Sequence, residues 1–343
     1  MPASDYMFRA VFPMLTVPSL NPLHGLKSYM NPRTDDITLE LDQIKLTLNP
    51  RLGASIVSLM IKDQAGQWAP VFRTMPKESE SASDAGSFVM LPWTNRIKDA
   101  QFTFADQTHR LKPNASDNTA IHGIARDLAW AITDRSPITA RLVFDSRSFD
   151  QGTINSPFKF GAVQRFEIGP DRVEIDLSIM NLDKHPIPVG CGHHPYIHRQ
   201  LFSAADDLHV QIDVAGRYPT AGCIPTGEPE LDEVCQAFIK GDPIGNPGLD
   251  DVFAGFGGLA TFDWAASNIR MTMQCSENLN HVVIYTPKLA DEKADEFVCV
   301  EPVSMVNDGF NRHAQGKSNT GVVILAPNET MRTRMTLRFS ACS

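Results

Sequence analysis

From Ile37 onward, apolar and polar positions alternate with a period of two. Ile37, Leu39 and Leu41 are separated by polar residues, and Ile44, Leu46 and Leu48 repeat the pattern after a short break. This alternation predicts strands with one buried and one wetter face. Comparable runs recur at Ala54–Ile61, Arg141–Phe144, Val173–Ile179, His209–Val214, Ile269–Met273, Val282–Tyr285, Phe297–Val300, Val322–Leu325 and Met331–Phe339. Between them stand Asn49-Pro50, Gly169-Pro170-Asp171, Gly245-Asn246-Pro247-Gly248 and Pro327-Asn328. These are turn signals, since Pro fixes φ while Gly and Asn tolerate positive values. No stretch keeps a 3.6-residue apolar period over three or more turns, and Leu289–Phe297 reads as a short surface helix or loop. The prediction is an all-β fold with many strands packed sheet on sheet, and pattern alone leaves sandwich, barrel and propeller open.

The chain has 343 residues, with no repeat or linker that would divide it. We therefore expect one domain over residues 37–343, preceded by a loosely ordered leader over residues 1–36. The apolar run Phe8–Leu20 is broken by Pro13 and Pro18 and lacks a clear small-residue cleavage site, which argues against a secretion signal. Thirty-one basic against forty acidic residues give a net charge of −9, unfavourable for a nucleic-acid or anionic-membrane partner. Nothing approaches the roughly 20 apolar residues of a membrane span. Cys191, Cys223, Cys235, Cys275, Cys299 and Cys342 form no C-x-x-C pair, so reduced thiols in a cytoplasmic protein are expected.

Candidate chemistry gathers in a few segments. His193, His194 and His198 would suggest a metal if they lay on a helix, but Gly190, Gly192 and Pro195 place them on a strand end or loop. No metal and no cofactor is expected. His194 is either an acid–base group or a satisfied structural histidine. Glu301 closes the apolar run Phe297–Val300 and precedes Pro302. Burial there would raise its pKa and suit a general base, the alternative being a glutamate that binds a basic neighbour at the sheet edge. Asn95 and Arg96 offer an amide and a planar donor fork for vicinal hydroxyls. Asp250 either accepts from sugar hydroxyls or organises an Asx-turn. Trp93, Trp130 and Tyr196 either stack on a sugar face or belong to the core.

Taken in order, N-P-R-L-G-A-S at Asn49–Ser55, N-R-I at Asn95–Ile97, H-G at His122–Gly123, G-H-H-P-Y at Gly192–Tyr196, L-D-D-x-F at Leu249–Phe253 and E-P at Glu301–Pro302 resemble the aldose 1-epimerase (galactose mutarotase-like) family. The resemblance implies a large antiparallel β-sandwich, a supersandwich, acting on a small-molecule sugar without a cofactor, as a monomer or weak homodimer. It implies Glu301 as general base and His194 as general acid, on opposite sides of one sugar ring. His122 and Arg96 would bind and polarise the sugar, with Asn95 and Asp250 holding hydroxyls. Leu91–Thr94 before Asn95, Ile124 after Gly123 and Pro195–His198 after His194 depart from the family pattern, and bear on substrate identity. His122–Arg126 with Trp130 also resembles the hexose 6-phosphate branch, where Arg126 or Lys98 would meet the phosphate. Two further readings are a non-catalytic sugar-binding domain, and a glycoside hydrolase or lyase pairing Glu301 with Asp250, which needs carboxylates roughly 5–10 Å apart.

Overall fold

The computed structural model describes residues 35–150, 152–288 and 295–342. The leader expected over residues 1–36 lies outside them except for Asp35 and Asp36, as does most of the Leu289–Phe297 segment.

Two large antiparallel sheets dominate. In the first, strands run in the spatial order Ile37–Leu41, Ile44–Asn49, Ser55–Lys62, Trp68–Phe72, Tyr196–His198, Phe297–Val303, His281–Tyr285, Asp250–Ala254 and Gly216–Arg217, with Gly192–His193 and Val89–Met90 added beside the Phe297–Val303 strand. In the second the order is Ala131–Arg135, Thr139–Asp145, Phe160–Ile168, Arg172–Asn181, Thr330–Ser340, Ile269–Cys275, Leu259–Trp264 and Leu208–Ile212. The apolar sets of both sheets merge in one core that joins Leu39, Leu46, Val71, Val298 and Val300 to Phe144, Ile175, Phe262, Met335 and Leu337. Burying alternate residues from two facing sheets is the arrangement of a β-sandwich. The chain is all-β in class, and of the options left open by the pattern it takes the sandwich.

Helix is sparse. Glu233–Lys240 spans about two turns, opened by Asp232, whose carboxylate accepts from the Cys235 amide, and closed by Gly241 in the left-handed region at φ 76°. All six cysteines are free thiols. Among the described residues no helix is long and apolar enough to cross a membrane.

A second, smaller apolar cluster lies on the other face of the first sheet. Along Phe297–Val303, Val298 and Val300 point into the sandwich core. Phe297, Cys299 and Val303 point the opposite way, against Phe88, Met90, Tyr196, Val252 and Val283. Glu301 shares the parity of Cys299 and Val303, so the pleat sets its carboxyl among that second cluster.

Candidate active site

Glu301 sits in mid-sheet, opposite Val283 in the register, and is 1% exposed. His194 reaches it from a neighbouring segment. Gly192 pairs with Val303 on one side and Met90 on the other, and a Cβ at Gly192 would fall 2.6 Å from the Pro302 carbonyl oxygen. The glycine thus allows the close approach that delivers His194. Its backbone amide donates to the Phe88 carbonyl at 2.9 Å, and its Nε2 lies 3.1 Å from Glu301 Oε1.

His122 and Arg96 arrive together on a small two-stranded piece. Arg96 and Ile97 pair with Ile121 and Ala120, and the His122 amide donates to the Asn95 carbonyl at 2.8 Å. Asn95 and His122 both take left-handed backbone, at φ 46° and 63°. The segment is anchored to the chain just beyond Glu301, because the Asp308 amide donates to the Arg96 carbonyl at 2.7 Å. The His122 ring meets that of His194 edge-on at 5.0 Å, and its Nδ1 lies 3.0 Å from the Met90 sulfur.

Arg96 carries the more exposed side of the site. Its Nε donates to Asp117 at 2.9 Å, an Nη lies 3.5 Å from Asp250, and Nη1 donates to Asn95 Oδ1 at 3.2 Å. Asp250 also accepts from the Cys223 thiol at 3.1 Å. The six residues singled out from sequence therefore form one neighbourhood. Glu301, Asn95 and His194 are buried, His122 lies beside the pair, and Arg96 and Asp250 form a polar network nearer solvent.

Burial sets the proton affinities of the central pair. Desolvation holds the Glu301 carboxyl well above the ordinary carboxylate range, helped by Asp250 and opposed by Arg96. Desolvation also holds His194 well below the ordinary imidazole value, assisted by Arg126 and Arg73. His122 is depressed in the same direction by burial, then by His194, Arg126 and Arg96. Both shifts in the pair disfavour charge, so its uncharged form, carboxyl against imidazole, is the one burial stabilises. Glu301 Oε2 and His194 Nδ1 are buried without a side-chain or backbone hydrogen-bond partner.

Three expectations change on this geometry. The acid and base candidates are not spread across the width of a sugar ring but touch each other. The group against Glu301 is an imidazole, and Asp250 is engaged with Arg96, which is the arrangement that counts against the paired-carboxylate hydrolase reading. Trp93 and Trp130 are core residues, donating their indole N–H groups to the Ala120 and Ala125 carbonyls. Only Tyr196 of the three aromatics lies at the site. Arg126 is buried near His194, whereas Lys98 is exposed.

Sequence reasoning missed Phe88, Met90, Cys299, Asp117 and Arg73. The first three are apolar or thiol positions inside uniformly apolar runs, with nothing chemical to mark them. Asp117 follows Ala115-Ser116 in a polar loop, where an Asx-turn residue is unremarked. Among the described residues His194, Cys299 and Glu301 bring one potential metal-binding atom each within 4.8 Å of the others. The Cys299 thiol is pushed well above its ordinary value by burial and then by Glu301.

The family model for aldose 1-epimerase matches residues 36–338. This chain belongs to the aldose 1-epimerase family. The Escherichia coli K12 protein YphB, described as uncharacterized, is 26% identical over 297 residues, covering 82% of this chain and 95% of that protein. A galactose mutarotase-like protein from Clostridium acetobutylicum superposes with a TM-score of 0.76 at 20% identity, over 90% of this chain and 95% of that one. The GalM/aldose epimerase homologue from Caenorhabditis elegans gives 0.72 at 16% identity, over 90% and 99%. At these identities the structural likeness establishes the aldose 1-epimerase fold, and the family match supports an epimerase-type activity on a sugar.

Proposed function

We propose that the protein is a mutarotase that interconverts the α and β anomers of a free aldose, with Glu301 as base and His194 as acid. The observation that carries this reading is the buried 3.1 Å contact between His194 Nε2 and Glu301 Oε1, with Arg96 and Asp250 alongside. The two oxygens that exchange protons in a cyclic hemiacetal, the anomeric hydroxyl and the ring oxygen, are bonded to the same carbon. An acid and a base that serve both must be close neighbours, so contact between them favours this chemistry.

In the charged form of the pair, the Glu301 carboxylate takes the proton of the anomeric hydroxyl. The O–H electrons become the carbonyl π bond, the bond from C1 to the ring oxygen breaks, and that oxygen takes the proton of the His194 imidazolium. The free aldehyde rotates about the C1–C2 bond, and the reverse steps close the ring on either face. Ring opening discharges the pair, turning carboxylate and imidazolium into carboxyl and imidazole. A dry site that disfavours those charges thereby assists the proton transfers. His122 and Arg96 donate to oxygens near the reacting carbon, and Asn95 and Asp250 hold ring hydroxyls.

Polarimetry on fresh α-D-glucose and α-D-galactose tests the reading. The native protein should accelerate the decay of optical rotation, and Glu301→Gln or His194→Asn should lower that rate at least about a hundredfold with the fold intact. Near-native turnover in either variant would remove that residue from its role. No acceleration across a panel of aldoses and hexose 6-phosphates would leave a sugar-binding domain in its place.

A further inference from the structure

Arg96 and Asp250 face each other at 3.5 Å, beyond the roughly 2.7–3.2 Å of a well-formed hydrogen bond. Each is also bonded to a residue outside the pair. The Arg96 Nε–H donates to Asp117 Oδ2 at 2.9 Å. The other Asp117 oxygen, Oδ1, accepts from the Thr119 amide and hydroxyl at 3.1 and 2.6 Å. Asn114 closes that loop, its side-chain amide exchanging two hydrogen bonds with the backbone of Ile121, the residue paired with Arg96. At the other end the Cys223 thiol donates to Asp250 Oδ2 at 3.1 Å. Cys223 stands at the tip of a hairpin that joins Thr220–Ala221 to Ile224–Pro225. Its carbonyl accepts from the fully buried side chain of Asn307 at 2.8 Å.

We propose that Asp117 and Cys223 are positioning residues for the sugar, holding the Arg96–Asp250 pair open to ring hydroxyls. The inference rests on the mutarotase reading in taking Arg96 and Asp250 as the groups that bind sugar. A guanidinium is a planar fork on a flexible stem. A carboxylate on its Nε–H fixes the plane and leaves the terminal N–H groups to face Asn95, Asp250 and an incoming hydroxyl. Without Asp117 the fork is free to close on Asp250 in a two-point pair, and both groups are then lost to substrate. Cys223 acts in the same way on Asp250. With Oδ2 bonded to the thiol, Oδ1 is the oxygen left for a hydroxyl.

Cysteine is an unusual residue for this turn. Gly222 and Cys223 both take positive φ, at 56° and 64°, and a two-residue turn of that kind favours Asn or Gly. A cysteine there carries backbone strain that glycine would avoid, and what it adds is the thiol on Asp250. Burial, then Asp250, pushes that thiol up to about 12, so at neutral pH it is protonated and donates. Asp117 is the converse case. Against burial, hydrogen bonds from Thr119 and Arg96 hold its carboxyl below the ordinary value, and it stays an acceptor.

The test uses the full chain with Asp117→Ala, Cys223→Gly and Cys223→Ser, followed by polarimetry. Asp117→Ala and Cys223→Gly should each raise KM about three- to tenfold with kcat within about twofold. Cys223→Ser keeps a donor and should restore a KM within about twofold of native. Cys223→Gly should unfold no earlier in urea than the native chain, which separates loss of the thiol from damage to the turn. Native KM in Asp117→Ala or Cys223→Gly, or a fallen kcat at native KM, would overturn the role of that residue. Two further readouts do not depend on turnover. The Arg96 Nε–H should give a slowly exchanging NMR signal in the native protein that is lost in Asp117→Ala. Alkylation of Cys223 by iodoacetamide at about pH 8, read by peptide mass, should quicken at least about threefold in Asp250→Asn, which removes the carboxylate opposing its thiolate. A native protein without mutarotase activity refutes that reading, while these two signals still decide whether Asp117 and Cys223 hold the pair. A fast-exchanging native Arg96 Nε–H, or unchanged alkylation, would overturn it.

Discussion

Between pH 5 and 8 a glutamate in an unfolded chain is ionised. Folding Glu301 into its site requires that proton back, because burial holds its carboxyl pKa well above the ordinary range. A group whose folded pKa is raised contributes stability below its unfolded pKa and loses that contribution as pH rises. Glu301→Gln removes the titration while keeping the shape. The variant should therefore gain stability over the native protein progressively as pH rises from 5 to 8, with the difference vanishing below about pH 4.5. Urea unfolding at stepped pH checks this, and a constant offset would mean that the carboxyl does not carry the burial penalty. The residues that sequence made visible were those with unusual chemistry for their setting, such as a Glu ending an apolar strand or a His pair between Gly192 and Pro195. Arg73 and Phe88 give no such signal, since neither residue type is unusual where it stands and only the fold brings them beside Tyr196 and His194.

At the scale of elements, the motifs N-R-I and H-G meet because the chain between Leu91 and Ile124 folds back on itself. The Ile124 amide donates to the Leu91 carbonyl at 2.7 Å, and Gly123, at φ 69°, lies so close that a Cβ would fall 1.9 Å from that same oxygen. The contact leaves no room for a side chain, and the left-handed dihedral adds strain to any residue but glycine. Gly123→Ala should lower stability by about 3 kcal/mol or more through strain and backbone displacement, and should raise KM by shifting His122. A denaturation midpoint within 1 kcal/mol of native, on the same order as an ordinary surface change, would show that the turn has slack. Strand reading succeeded where one face is wet, as in Ile37–Leu41, Ile44–Asn49 and Arg172–Asn181. It passed over Phe160–Ile168, which is buried on both faces for most of its length, and Trp68–Phe72, where Pro70 interrupts the run. In Leu259–Trp264 an exposed leucine beside a buried alanine blurs the alternation.

For the molecule as a whole, period-two alternation implied paired sheets, but their order was beyond it, since a strand's neighbour is chosen by shape and not by its own pattern. That order places Glu301 at the middle of a wide sheet, where its desolvation originates, and the same wide sheets bury histidines that the proposed chemistry does not use. His193 and His281 are both lowered from 6.5 to about 4, by desolvation above all. Unfolding releases them to their ordinary values, so below pH 6.5 the unfolded chain binds protons that the folded one refuses. Stability from these two groups is complete above that pH and is lost as pH falls toward 4. With each pKa unit worth about 1.4 kcal/mol, the loss is about 3 kcal/mol per histidine, and His194 and His122 act in the same direction. Glu301 works in the opposite direction, because its raised pKa makes the folded state gain stability as pH falls toward about 4.5. The free energy of unfolding, followed by urea titration from pH 7 to pH 4, should therefore fall by about 3 kcal/mol or more once the opposing gain at Glu301 is included. A flat profile across that range would mean that these imidazoles charge within the fold, and that the sheets admit more water than their burial implies.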